Sequence, residues 1–98
     1  MKALRLENAT VREIDIENKL EALQKEVEGY IEVLTLVPGV VAMIVNEEGI
    51  LYGMEINLAA SAVANQTIVG PALVVGVDGE EFCDIREDVA RFIKRRWV

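Results

Sequence analysis

There is no histidine anywhere in this chain. Ordinary serine and cysteine triads use an imidazole as base, and most zinc and iron sites use one as ligand, so both classes are excluded. Cys83 is the single cysteine. No intrachain disulfide and no cysteine-rich metal site can form within one copy, and a reducing compartment fits. No cation is fixed beside Cys83 in sequence, so a buried structural thiol is the expected reading over a reactive one. Aromatic residues are only 5% of the chain, which leaves burial to aliphatic side chains. The longest apolar runs, residues 40–45 and 68–76, fall far short of the ~20 residues that span a bilayer. Met1-Lys2-Ala3 leads into alternating residues instead of the apolar run of a signal peptide. Cations are in the minority, 10 against 17 acidic residues, and the net charge of −7 repels phosphate backbones and anionic lipids. The expectation is a cytoplasmic protein with no membrane contact and no direct nucleic-acid contact.

What is present is apolar. Hydrophobic residues make up 52% of 98 positions, enough for one core and for a single domain over residues 1–98. A domain of this size buries a smaller share of its surface than a larger one. Part of its Val, Ile and Leu is therefore expected to be buried against another copy, making the chain a homo-oligomer.

Residues 3–6 and 11–16 alternate apolar with polar or charged side chains around an Asn8-Ala9 turn, which predicts an antiparallel hairpin. Residues 18–28 predict a helix. Asn18 and Glu21 have capping-box spacing, Leu20, Leu23 and Val27 form one stripe, and Gly29 stands where a left-handed terminator is wanted. Residues 30–36 read as a strand and Pro38-Gly39 as a turn. Residues 40–45 are almost continuously apolar, as in a central strand with both faces buried. Asn46-Glu47-Glu48-Gly49 then predicts a turn into a returning strand over residues 50–53. Asn57 can cap one or two helical turns up to Ala64, or an irregular crossover runs there. Residues 66–76 read as a strand pair or one strand broken at Gly70-Pro71, with Pro71 at an edge or a strand start. Asp78-Gly79 is a turn. Asp84 with Glu87 repeats the capping box before a last helix over about 85–96, whose predicted stripe is Ile85, Val89, Phe92 and Ile93. The expected architecture is α+β: a small mixed or antiparallel sheet with two helices, about 18–28 and 85–96, packed on one face.

Carboxylates are the remaining chemistry. Asp78, Glu80, Glu81 and Asp84 cluster before the last helix, but not at the spacing of a helix-loop-helix calcium site, and a solvated loop with a cap explains them more simply. The glycines match no phosphate loop or dinucleotide pattern. Lys94-Arg95-Arg96-Trp97 reads as charge compensation at a helix end beside one packed Trp. No catalytic residue, metal ligand or cofactor is assigned. Asn46, Glu47, Tyr52 and Asn57 are the candidate ligand-binding residues, because they stand at turns or a helix start where a side chain can hold either a turn or a ligand. For Asn46 and Asn57 the structural role is the simpler one.

Several segments resemble a known family. Glu21-Ala22-Leu23-Gln24 through Gly29-Tyr30-Ile31-Glu32-Val33 is similar to the opening of the family named domain of unknown function 3846. Ile44-Val45-Asn46-Glu47-Glu48-Gly49 resembles its central signature, and Asn57 with Ala59 its downstream Asn and Ala. Ile68-Val69-Gly70 with residues 72–76 resembles its final strand, and Asp84 with the last helix its end. The chain departs at Met54-Glu55-Ile56, where a proline-containing segment is expected. The resemblance implies small proteins of bacteria, plasmids and phages with no established activity, and hence a role in host interaction.

The leading expectation is a non-enzymatic binding or interaction protein that acts on a host protein or sequesters a small ligand. One alternative is an acidic decoy that imitates DNA and occupies a nucleic-acid-binding protein. The other, least favoured, is a carboxylate enzyme with a borrowed metal.

Overall fold

The computed structural model describes residues 1–97. Its elements run β1 (Lys2–Glu7), β2 (Thr10–Asp15), α1 (Leu20–Val27), β3 (Ile31–Val37), β4 (Val41–Asn46), α2 (Leu58–Ala64), β5 (Ala72–Asp78), β6 (Glu81–Cys83) and α3 (Glu87–Arg95). The six strands form one antiparallel sheet in the order β2-β1-β5-β4-β3. β4 pairs with the middle of β5, from Leu73 to Gly76, and holds one of its edges. The other edge is shared: β1 takes Ala72 to Val74 and β6 takes Gly76 to Asp78, so β6 continues the line of β1.

The two central strands follow from composition. All six residues of β4 are buried, and so are the first five of β5. Alternation along them supplies two cores. Val41, Met43 and Val45 join Leu4, Leu6 and Val74 on the face covered by α2 and α3, where Ala59, Ala60, Ala90 and Ile93 pack. Ala42 and Ile44 join Leu73 and Val75 on the face covered by α1 through Leu23 and Val27. Each of those two helix anchors stabilises by roughly 1.5–3 kcal/mol. α2 lies close to the sheet because Ala59 and Ala60 present almost no side chain, and its Ala59 amide reaches the Asn8 carbonyl at 2.8 Å.

The α+β class and antiparallel sheet agree with the sequence reading, as do the first hairpin, the buried β4 and the Pro71 strand start. Several expectations are corrected. There are three helices among the described residues, not two, and α1 covers one face while α2 and α3 cover the other. The helix expected over 18–28 begins at Leu20 after a Lys19 cap that makes no side-chain bond, because Asn18 donates to the Phe82 carbonyl instead. Glu28, not Gly29, takes the left-handed terminating conformation, with φ 65°. Leu20 is exposed, and the α1 stripe narrows to Leu23 and Val27. The helix expected over 85–96 runs Glu87–Arg95, and Asp84 does not cap it: its Oδ1 accepts from the Lys2 amide at 2.8 Å. Phe92 is exposed, and Ala90 takes its place in the core. Residues 50–53 form no strand. They close a loop in which the Tyr52 amide donates to Glu48 and the Met54 amide to Gly49. Residues 66–70 make only a single bridge, Val69 with Ile56, before β5 begins.

Candidate functional site

The strand register collects Glu7, Thr10, Ile31, Asn46 and Ala72 at one end of the sheet. All four candidate residues lie at or just beyond this end, on β4, the loop after it and the start of α2.

Asn57 is 1% exposed and makes three hydrogen bonds. Its Oδ1 accepts from the Ala60 amide at 3.0 Å, capping α2. Its Nδ2 donates to the Leu6 and Gly70 carbonyls, both at 2.8 Å. One side chain therefore ties α2 to the end of β1 and to the entry of β5. Ser61 assists from the next turn, where its Oγ accepts from the Ile68 amide at 2.8 Å. Asn46 does the same work on the other face. Its Nδ2 donates to the Val27 carbonyl at 2.9 Å, and its Oδ1 accepts from the Glu48 amide at 2.7 Å. The first bond satisfies a carbonyl at the C-terminus of α1 that the helix leaves free. The second holds the turn after β4. Among the described residues no buried side-chain nitrogen or oxygen lacks a partner. Every polar atom of both asparagines has a partner within the chain.

Glu47 and Tyr52 are exposed. Glu47 borders a shallow hollow of about 560 Å³ with Glu32, Leu34, Glu48, Ile50 and Leu51, which Asn46 also lines. Asn57 borders a different, smaller hollow of about 180 Å³ whose rim carries Glu7, Glu28 and Glu55. Tyr52 borders neither. The four candidates thus share one end of the molecule but not one cavity.

The loop itself is the more informative feature. Ile50, Leu51 and Tyr52 are consecutive and 82%, 75% and 65% exposed. Three large apolar side chains in a row on a surface are unusual in a soluble protein unless they are covered in use. Carboxylates surround them: Glu47 and Glu48 precede the triad and Glu55 follows it. The sequence carries a signal for this that its net charge conceals. Every Lys and Arg lies before residue 26 or after residue 85, and the intervening stretch holds ten Asp and Glu. The cations sit on or immediately beside β1, β2, α1 and α3, and none lines the hollow beside the loop.

Elsewhere several charges are paired. Arg5 bridges Glu7 at 2.7 Å and Glu26 at 2.9 Å, and the Glu7 bond is the larger cause holding its guanidinium above the ordinary value. Lys94 donates to Glu13 at 2.8 Å and holds that carboxyl below its usual range. Arg86 does the same to Asp88. Asp78, Glu80 and Glu81 line the exposed β5–β6 turn, and Asp84 is occupied by Lys2. Among the described residues no three Asp, Glu or Cys side chains converge as a metal-holding group. Cys83 is half-buried beside Gly76. No helix among the described residues is long and apolar enough to cross a membrane.

The family model described as Domain of unknown function (DUF3846) matches residues 1–97. The chain belongs to this family. No curated protein and no solved structure matches it. For this DUF3846 member the match spans all nine elements, from β1 through α3, so the loop after β4 lies within the family's common region.

Proposed function

We propose that this DUF3846 protein is a small, single-domain, cytoplasmic interaction protein without enzymatic activity. It works as a homo-oligomer that binds a host protein, in the phage or plasmid setting its family implies. The observation that carries this reading is the Ile50-Leu51-Tyr52 triad, held outward on a closed loop and ringed by carboxylates. Apolar side chains in that setting favour a partner with a basic rim around an apolar recess, since such a recess removes them from water while the rim meets the acids. A protein partner is favoured over a sequestered small ligand because the hollows nearby are shallow and every polar atom of the candidate asparagines already has a partner within the chain. The decoy reading gains less support. A DNA imitation needs acids arrayed along one face, whereas these lie at both ends of the sheet and on α1 and α3, several in ion pairs with neighbouring cations.

The test is pull-down from native host lysate with wild-type protein and with a variant carrying Ile50→Ser, Leu51→Ser and Tyr52→Ser, read by mass spectrometry. A specific protein retained by the wild type and lost from the folded variant supports the reading. Equal recovery by both sinks it.

A further inference from the structure

The two outer strands of the sheet are built differently. β2 carries Arg12, Glu13 and Asp15 among six residues, a charged edge that resists further strand addition. β3 carries one charge in seven, Glu32, with no Lys or Pro. The Glu47 amide donates to the Tyr30 carbonyl at 2.9 Å. Alternation along the β3–β4 ladder then directs the backbone of Glu32 and Leu34 toward β4, and turns the N–H and C=O groups of Ile31, Val33 and Thr35 outward. Among the described residues no strand pairs with that edge. Val33, at the middle of it, is 46% exposed.

Two surfaces of opposite character flank this edge on the face covered by α2 and α3. Beside Ile31 lie Glu32, Glu47 and Glu48. Beside Val37 lies an apolar hollow of about 650 Å³ lined by Leu36, Val37, Val63, Phe92 and Trp97. Arg96 stands on its rim, stacked 4.6 Å above the Phe92 ring.

We propose that β3 is the seam of a two-fold dimer, in which a second copy adds its own β3 antiparallel about Val33. This rests on the reading of the chain as a homo-oligomer and names its surface. In that register Val33 faces Val33 of the other copy, Ile31 faces Thr35 and Glu32 faces Leu34, so no like charges stand directly opposite. The outward N–H and C=O groups of all three edge residues find partners. Antiparallel pairing also reverses the ends, which sets the Glu32, Glu47 and Glu48 end of each copy beside the Arg96-rimmed hollow of the other. The attraction is made twice by symmetry. This charge complementarity is what selects a second copy as the occupant, and it counters the repulsion between two chains of net charge −7. Tyr30, next to the seam, is exposed and available to this contact.

Light scattering on gel-filtered protein at micromolar concentration reads the state, and the wild type is expected at twice 10.9 kDa. Val33→Lys places like charges on the axis. Thr35→Pro removes an amide that β4 does not use. Both are expected to elute as monomers with the circular dichroism of the wild type. Arg96→Glu is expected to weaken the dimer about tenfold or more. In a Cys83→Ser background, Val33→Cys is expected to form a covalent dimer on mild oxidation, since Cα atoms of such a pair lie about 5.5 Å apart. Thr35→Cys, displaced from the axis, is not. A wild type that stays monomeric overturns both the seam and the homo-oligomer reading. A dimer that persists in Val33→Lys and resists cross-linking at residue 33 overturns the seam alone.

Discussion

Replacing Asn57 by alanine removes three hydrogen bonds at 2.8, 2.8 and 3.0 Å. The Gly70 carbonyl and the Ala60 amide lose their partner outright, while the Leu6 carbonyl keeps its ladder bond from the Ala72 amide. Each buried polar group left without a partner costs about 1–3 kcal/mol, and the lost helix cap alone costs about 1 kcal/mol. Asn57 is among the largest fully buried side chains, so a cavity is added. Water that enters this cavity recovers part of the loss. The expected net is about 3–5 kcal/mol, against a total stability of about 5–15 kcal/mol for a domain of this length. At ~4 kcal/mol the thermal midpoint falls by about 15–30 °C. Asn57→Asp is the sharper probe. It keeps the shape and the capping acceptor, but turns the donor into an acceptor facing two carbonyls in a buried site. It is expected to cost at least as much as alanine. Urea unfolding followed by far-ultraviolet circular dichroism and by the fluorescence of Trp97, which packs against the core, measures both variants. A loss below about 1 kcal/mol for alanine, or an aspartate variant as stable as the wild type, would refute the reasoning and return Asn57 to the list of ligand-binding residues.

Three further expectations concern single positions. At Gly76 a Cβ would run into the Asp84 backbone carbonyl and stand 2.9 Å from the Cys83 Sγ. Lys2 holds that backbone in place through Asp84 and Ile85, so Gly76→Ala should lose about 2–3 kcal/mol in urea unfolding, and a loss under about 0.5 kcal/mol would contradict it. Glu28→Gly should gain about 0.5–1 kcal/mol, because a non-glycine residue at φ 65° is strained and a carboxylate at a helix C-terminus opposes the dipole. A destabilised variant would count against that account. Glu13 should titrate below an ordinary glutamate, chiefly through its hydrogen bond from Lys94. A depressed carboxylate stabilises the fold above its ordinary value, and that contribution fades as pH falls through the folded value. Lys94→Met should move the Glu13 midpoint upward in a carboxyl NMR titration, and an unmoved midpoint would exclude the pairing.

The strands that were legible in advance are those whose evidence is local. β1 and β2 alternate, and β4 is apolar on both faces because it is central. Period and composition act over a few residues and need no knowledge of neighbours. The place of Asn46 and Asn57 was legible, and so was their turn and cap duty, but their long-range partners were not. Turn chemistry pointed to Asn46 and Asn57. Which carbonyls they reach, Val27 on one and Leu6 and Gly70 on the other, depends on segments far away in sequence. The turn at residues 46–49 predicts a returning strand at Ile50-Leu51-Tyr52, yet these residues form an exposed loop.

Residues 50–53 mark where local evidence stops. Residues 50–53 have strand-forming side chains, but β3 and β5 already occupy both edges of β4, and a returning strand finds no backbone to pair with. Asn18 and Asp84 each stand three residues before a glutamate in capping-box spacing. Each is instead drawn away by a stronger long-range partner, the Phe82 carbonyl and the Lys2 amide. β6 exists only because β1 covers half of one edge of β5 and leaves the other half open. Amino-acid order thus set the period, burial and charge of each segment. The competition among distant backbone groups for a limited number of edges and donors decided which segments became strands, which asparagines became struts, and on which face of the sheet each helix came to rest.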